Sequence, residues 1–139
     1  MTSANLDAFI AERRSRPFEY FQHDCVLIAA DWVIAKTGTD PLSDLRAAGG
    51  IYDRRNLLTA LRLVRSAGGF EAVASARLGA AHAGLMAQRG DVVLARSGRR
   101  VGRVSGYSFG ICTGSHLVVP GDDRLEFLPL TAGVASWRV

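Results

Sequence analysis

One stretch of the chain separates polar from apolar positions more sharply than any other. Gln22-His23-Asp24 runs into Cys25-Val26-Leu27-Ile28-Ala29-Ala30-Asp31-Trp32-Val33, and between Val26 and Ala35 only Asp31 carries charge. A helix that is apolar nearly all round offers water no broad face and belongs in a core. Both of its ends are marked. Asp24 is a good N-cap, because its carboxylate can accept from the N–H of Val26 or Leu27, and Gly38 suits the left-handed position after the last turn. The pattern predicts a central buried helix over about 25–37.

Upstream, Leu6, Phe9, Ile10 and Arg13 fall on one stripe of a helix from Ala4 to about Arg14, with Ser3 as its cap and Pro17 beyond its end. Phe18, Tyr20 and Phe21 alternate as a short extended approach to the central helix. Downstream, Asp40-Pro41 supplies an N-cap and first position for a short helix through Leu42, Leu45 and Arg46, which Gly49-Gly50 breaks. Asp53 or Asn56 opens the next helix, where Leu57, Leu58, Leu61 and Val64 give the pattern of a half-buried element and Gly68-Gly69 the stop. The alanine content of Phe70–Arg77 tips that segment weakly to helix, and Ala80–Ala87 is read in the same way.

From Arg89 the pattern becomes β-type. Gly90–Ala95 reads as a strand, Ser97-Gly98 as a turn, and Arg103–Cys112 as a longer strand. Leu117–Val119 is a further strand, Gly121-Asp122-Asp123 a turn, and Leu125–Leu128 its antiparallel partner. Ala135–Val139 closes the sheet. Helices first and an antiparallel sheet second make an α+β fold, in which the central helix covers the buried face of the sheet.

Length and composition narrow this further. A chain of 139 residues fits one domain, 1–139, with the helix within residues 1–17 at its periphery, and it can bury roughly two thirds of its unfolded surface without staples. No apolar run is long enough to insert in a membrane, and the N-terminus lacks the pattern of a signal peptide, so synthesis is expected in the cytoplasm. The net charge of +4 comes from separated clusters at Arg13, Arg14 and Arg16, at Arg54 and Arg55, and at Arg99, Arg100 and Arg103. Without interleaved aromatics these read as solvated loops or a protein interface, and not as a nucleic-acid site. Two cysteines and three histidines without paired spacing predict no metal site, and no cofactor is expected.

Cys25 is the residue with chemistry in it. In the first turn of a helix a thiolate is favoured by the free N–H groups and the positive end of the dipole, which is how reactive cysteines are often placed. A free cysteine also packs well as a small apolar group, and position alone leaves both readings open.

Three motifs together carry a resemblance. Asp24-Cys25 opening a buried helix, then Arg89-Gly90-Asp91-Val92-Val93-Leu94, then Phe109-Gly110-Ile111-Cys112-Thr113-Gly114, is similar to the NlpC-type cysteine peptidases. In those papain-like enzymes a D-C pair starts the catalytic helix, a P-G-D-L-V strand follows, and an H-V-G-I-Y-L-G strand carries the catalytic histidine. More closely, the phrases H-D-C-V-L-x-A-A-D-W-V, T-G-T-D-P, R-G-D-V-V-L, G-I-C-T-G and the terminal W-R-V resemble a small phage and prophage protein family related to that fold, over residues 18–139.

Carried over residue by residue, the resemblance puts the nucleophile at Cys25 and the histidine at Ser108. A serine hydroxyl takes up no proton near neutral pH, so Ser108 is not expected to function as the base. The region expected to supply the residue that orients the histidine reads Leu117-Val118-Val119-Pro120. His23, two residues before Cys25, and His116, in a turn beyond the strand, are the substitutes; His82 has no motif support. Cys112 shares a sheet face with Ser108 and reads as packing. The resemblance thus implies a catalytically degenerate NlpC-like domain serving as a structural or assembly component of a phage tail tip, bound to other tail-tip or hub proteins in the virion. The alternative is an active peptidase or amidase cleaving peptidoglycan peptides, with Cys25 as nucleophile and a displaced histidine as base.

Overall fold

In a computed structural model, which describes residues 5–96 and 106–139, the apolar stretch forms the helix that its caps mark. This helix, α2, spans Cys25–Thr37; the Asp24 side chain accepts from the Leu27 N–H, and Gly38 sits at φ 79°. Leu27, Ile28, Ala29, Ala30, Trp32 and Val33 are buried, as an all-round apolar helix requires. Before it, α1 spans Leu6–Arg13 and is capped by Asn5, whose side chain accepts from Ala8 N–H at 3.1 Å. Ser3, the expected cap, lies outside the described residues. Leu6, Phe9 and Ile10, on the helix expected at the periphery, belong to the same core cluster as Trp32, and the Phe9 ring meets the indole edge-on at 5.4 Å.

After α2 come two single turns of helix, α3 (Ser43–Arg46) and α4 (Ile51–Arg54), then α5 (Leu57–Ala67) and α6 (Phe70–Leu78). Asp40 is not the cap expected of it: its Oδ1 accepts from Leu42 N–H at 2.9 Å in a turn ahead of the helix, which begins only at Ser43 with Leu42 at the N-cap position. Asn56 is the cap of α5, accepting from Thr59 N–H, which leaves Asp53 inside α4.

The strands are β1 (His82–Ala83), β2 (Val92–Arg96), β3 (Tyr107–Cys112), β4 (His116–Pro120), β5 (Leu125–Pro129) and β6 (Gly133–Trp137). They form one antiparallel sheet in the order β1-β6-β2-β3-β4-β5. The fold is α+β. Val92 stands opposite Ile111 on one side and Trp137 on the other, so the strand after Gly90-Asp91 is central and its flanking strands come from distant sequence. Side chains alternate between the faces. Val92, Leu94, Phe109, Ile111, Val118, Ala135 and Trp137 pack under α2, while Val93, Ala95, Cys112, Leu117 and Val119 form a second cluster on the opposite face. Gly110 has a steric reason: a Cβ there would run into the Val118 carbonyl.

Several expectations are corrected. Ala80–Ala87 is not helical: His82–Ala83 pairs with Ser136 and Ala135 as β1, and Gly84–Met86 is a single 3-10 turn. The reason is close packing of Gly84 against the backbone of Gly133, which outweighs the weak helix propensity of the alanines. The Phe18–Phe21 segment is not extended but folds into a tight turn, with His23 N–H donating to Glu19 O at 2.8 Å and Phe21 at φ 65°. Phe21 N–H is drawn to Asp24 Oδ2 at 3.0 Å, and that local bond competes with an extended path. His116 is not in a turn but begins β4, opposite Pro129. The Ser97-Gly98 turn, the start of the 103–112 strand and the Arg99, Arg100 and Arg103 cluster lie outside the described residues.

Candidate functional site

Cys25 is the first residue of α2, where the chain leaves the Glu19–His23 turn and enters the core under β3. The residue as a whole is partly exposed, yet its thiol is desolvated and pushed up to about 11. Burial is the largest cause and the neighbouring Asp24 carboxylate the next; the Phe109 backbone N–H and the Ser108 hydroxyl act the other way and are outweighed. A helix N-terminus alone would favour the thiolate. Here the capping carboxylate occupies that terminus, so the positive end of the helix is spent on Asp24 and its negative charge faces the sulfur.

The Ser108 hydroxyl, at the position that the resemblance aligns with the family histidine, is among the groups that act on the Cys25 thiol. Ser108 is almost fully buried, and its hydroxyl also donates to Phe109 O at 3.1 Å. No imidazole is among the groups that act most strongly on the thiol.

All three histidines of the chain fall among the described residues, and none is among the groups that act most strongly on the Cys25 thiol. His23 is buried, and its Nδ1–H donates to Pro17 O at 3.1 Å, which fixes Nε2 as the unprotonated nitrogen; Nε2 is enclosed without a partner. Desolvation holds this ring below the ordinary histidine range, helped by the positive charges of Arg16 and Arg13 and opposed by the Pro17 bond. His116 is exposed at the start of β4, its Nδ1 3.0 Å from Ser115 Oγ and its ring edge-on to Phe127. His82 is exposed on β1.

Asp24 is the hub of the polar network. Its Oδ1 accepts from Leu27 N–H at 2.8 Å and from the Tyr52 hydroxyl at 3.4 Å, and its Oδ2 accepts from Phe21 N–H. Burial raises its affinity for a proton in spite of these bonds, and burial together with the Asp24 charge also pushes the Tyr52 phenol up. Sequence reasoning missed Tyr52 and the Phe109 N–H. Tyr52 sits in a one-turn helix with no periodicity to mark it, and a backbone donor leaves no trace in residue type.

Beside this network opens a cavity of about 140 Å³ lined by residues of α2, α5 and α6, with Cys25, Asp24, Tyr52 and Arg77 in an otherwise largely apolar wall. Cys112 plays no part in it, being fully buried in the cluster on the other face of the sheet. Both cysteines are free thiols. Among the described residues no group of three His, Cys, Asp or Glu side chains is placed to hold a metal ion, and no helix is long and apolar enough to cross a membrane.

The family model described as Domain of unknown function (DUF6950) matches residues 2–139, and the chain belongs to that family. No curated protein and no solved structure matches it.

Proposed function

We propose that this DUF6950 member is a papain-like, NlpC-type domain whose cysteine position no longer does chemistry, and that it serves as a structural or assembly component of a phage tail tip. The observation that carries this reading is the company Cys25 keeps: a serine where the enzymes have histidine, and a thiol pushed up to about 11. At pH 7 such a thiol is ionised in roughly one molecule in ten thousand. Thiolate attack on a peptide carbonyl also needs an acid for the leaving amine, and neither Ser108 nor the capping carboxylate Asp24 supplies one. His23 is tied to Pro17 O, and His116 lies in the solvent-exposed start of β4, so neither is favoured as a displaced base.

Binding is what such a domain retains. Arg54, Arg55, Arg62 and Arg65 are exposed along α4 and α5, in keeping with a polar, arginine-bearing protein interface toward other tail-tip or hub proteins. Nucleic acid, a bilayer and a cofactor form no part of this reading. The test is fractionation of a phage lysate: the protein is expected to sediment with intact virions and to co-purify with tail-tip proteins. Recovery only as free protein, or cleavage of peptidoglycan peptides by the purified domain, would sink it.

A further inference from the structure

We propose that the cavity between α2, α5 and α6 is a binding site for one compact, uncharged apolar group, an aromatic ring or a branched alkyl group of similar size. This deepens the reading above and rests on it in one respect, the neutral thiol of Cys25 in the cavity's wall.

Size sets the upper limit. At about 140 Å³ the cavity is close in volume to an engineered apolar cavity of about 150 Å³ that takes up benzene, so one ring is enough to fill it. The wall sets the chemistry. Ala29, Val33, Leu61, Val64, Phe70 and Phe109 line it, and the two charged side chains that reach it are already matched. Asp24 takes the Leu27 and Phe21 N–H groups and the Tyr52 hydroxyl, and Arg77 forks onto Asp44 at 2.6 and 3.0 Å and reaches Pro41 O at 2.8 Å. A charged ligand would lose its hydration and find no free counter-charge in exchange.

Access follows from α5. Leu57, Leu61, Leu63 and Val64 line the cavity, yet no residue of this helix is buried, and among the described elements its main packing is against α6. A helix held by so little buried surface opens at low cost compared with the core. It is linked to α6 through Gly68 and Gly69, both at positive φ (99° and 106°), a conformation glycine adopts without strain. The apolar stripe of α5 thus covers the site as a lid covers a slot, and an entering ring supplies the contacts that α5 lacks.

The experiment uses the whole chain and three probes of one size: toluene, benzylamine as its cation and benzoate as its anion. Backbone amide shifts are followed by NMR, and the alkylation rate of Cys25 by peptide-resolved mass spectrometry. Toluene is expected to saturate one site, to shift amides of α2, α5 and α6, and to slow Cys25 alkylation several-fold, with the charged probes at least about ten-fold weaker. Ala60→Phe, which fills the cavity from the lid, is expected to abolish saturation; Leu61→Phe serves the same purpose with a smaller change if the first variant fails to fold. Equal binding of the three probes, or toluene shifts that neither saturate nor cluster, overturns the site itself. Rapid alkylation of Cys25 at pH 7 without probe overturns it by the other route, because a thiolate in the cavity's wall is a charge, and that result also removes the reading on which the site rests.

Discussion

The indole Nε1–H of Trp32, midway along α2, donates to the backbone carbonyl of Gly90 at 2.7 Å, a contact between residues 58 apart in the chain. It ties the helix to the start of the central strand. Gly90 is held at φ 92°, with the Trp32 ring 3.7 Å from where a Cβ would stand, and its N–H donates to Cys112 O at 2.8 Å. Cys112 N–H in turn donates to Asp91 O at 2.9 Å. The phrases around Trp32, Gly90-Asp91 and Gly110–Cys112 are therefore one interlocked corner of the core.

Truncating this contact is expected to be severe. Trp32→Ala removes a buried aromatic and leaves the Gly90 carbonyl without its donor, for a loss of about 3 to 5 kcal/mol. Trp32→Phe keeps most of the packing and loses the hydrogen bond, for about 1 to 3 kcal/mol. Denaturant unfolding of both variants checks the order, and a Trp32→Ala midpoint equal to wild type would show that the indole is not part of the core.

Much of this architecture was legible in the sequence, because its signals are local. Asp24 and Gly38 bracket α2, Asn56 and Gly68 bracket α5, and the apolar run Val92–Ala95 marks a strand. The misread segments are those where tertiary contact outweighs local preference. Gly84 packs on Gly133 and turns an alanine-rich segment into an edge strand, and Asp24 pulls Phe21 into a turn. At the site, the sequence singled out Cys25 at the first turn of α2, and the structure places it there. The thiol's ionisation, however, depends on burial and on the direction of the Asp24 charge, which residue types do not record.

Asp24 has opposite effects on the fold and on the thiol. Asp24→Ala removes the cap of α2 and the anchor of the Phe21 turn, for an expected loss of about 1 to 2 kcal/mol. Asp24→Asn removes the charge that opposes the thiolate, so the Cys25 thiol is expected to titrate lower than in wild type. Thermal melts read the first effect and pH-dependent alkylation the second. An unchanged or raised Cys25 titration in Asp24→Asn would contradict the assigned role of the carboxylate.

His23 predicts an acid limb in the stability curve. Its folded-state affinity for a proton is below the ordinary value of 6.5, chiefly through burial. The unfolded chain therefore binds the proton first, and the stabilising contribution, present above about pH 6.5, is lost as pH falls through the folded-state value. Melting temperatures from pH 7.5 to 5 are expected to fall more steeply for wild type than for His23→Gln. Parallel curves would mean that the ring is not desolvated.

The helix over the cavity is expected to be the weakest of the longer helices. With no buried residue in α5 and six in α2, amides of Thr59–Ala67 are expected to exchange through local opening, well before those of Ile28–Val33. Native-state hydrogen exchange checks this. Equal protection of the two helices would remove α5 as a lid.

The pH dependence of Cys25 alkylation decides whether this domain retains a nucleophile. Peptide-resolved mass spectrometry on the folded chain separates Cys25 from the fully buried Cys112. A thiol held by burial and by the Asp24 charge is expected to react with a midpoint near 11, slowly at neutral pH and without a plateau below pH 9. A midpoint at or below pH 7, lost together with peptidoglycan cleavage in one of the His23, His82 or His116 variants, would contradict a silent cysteine and make the domain an enzyme.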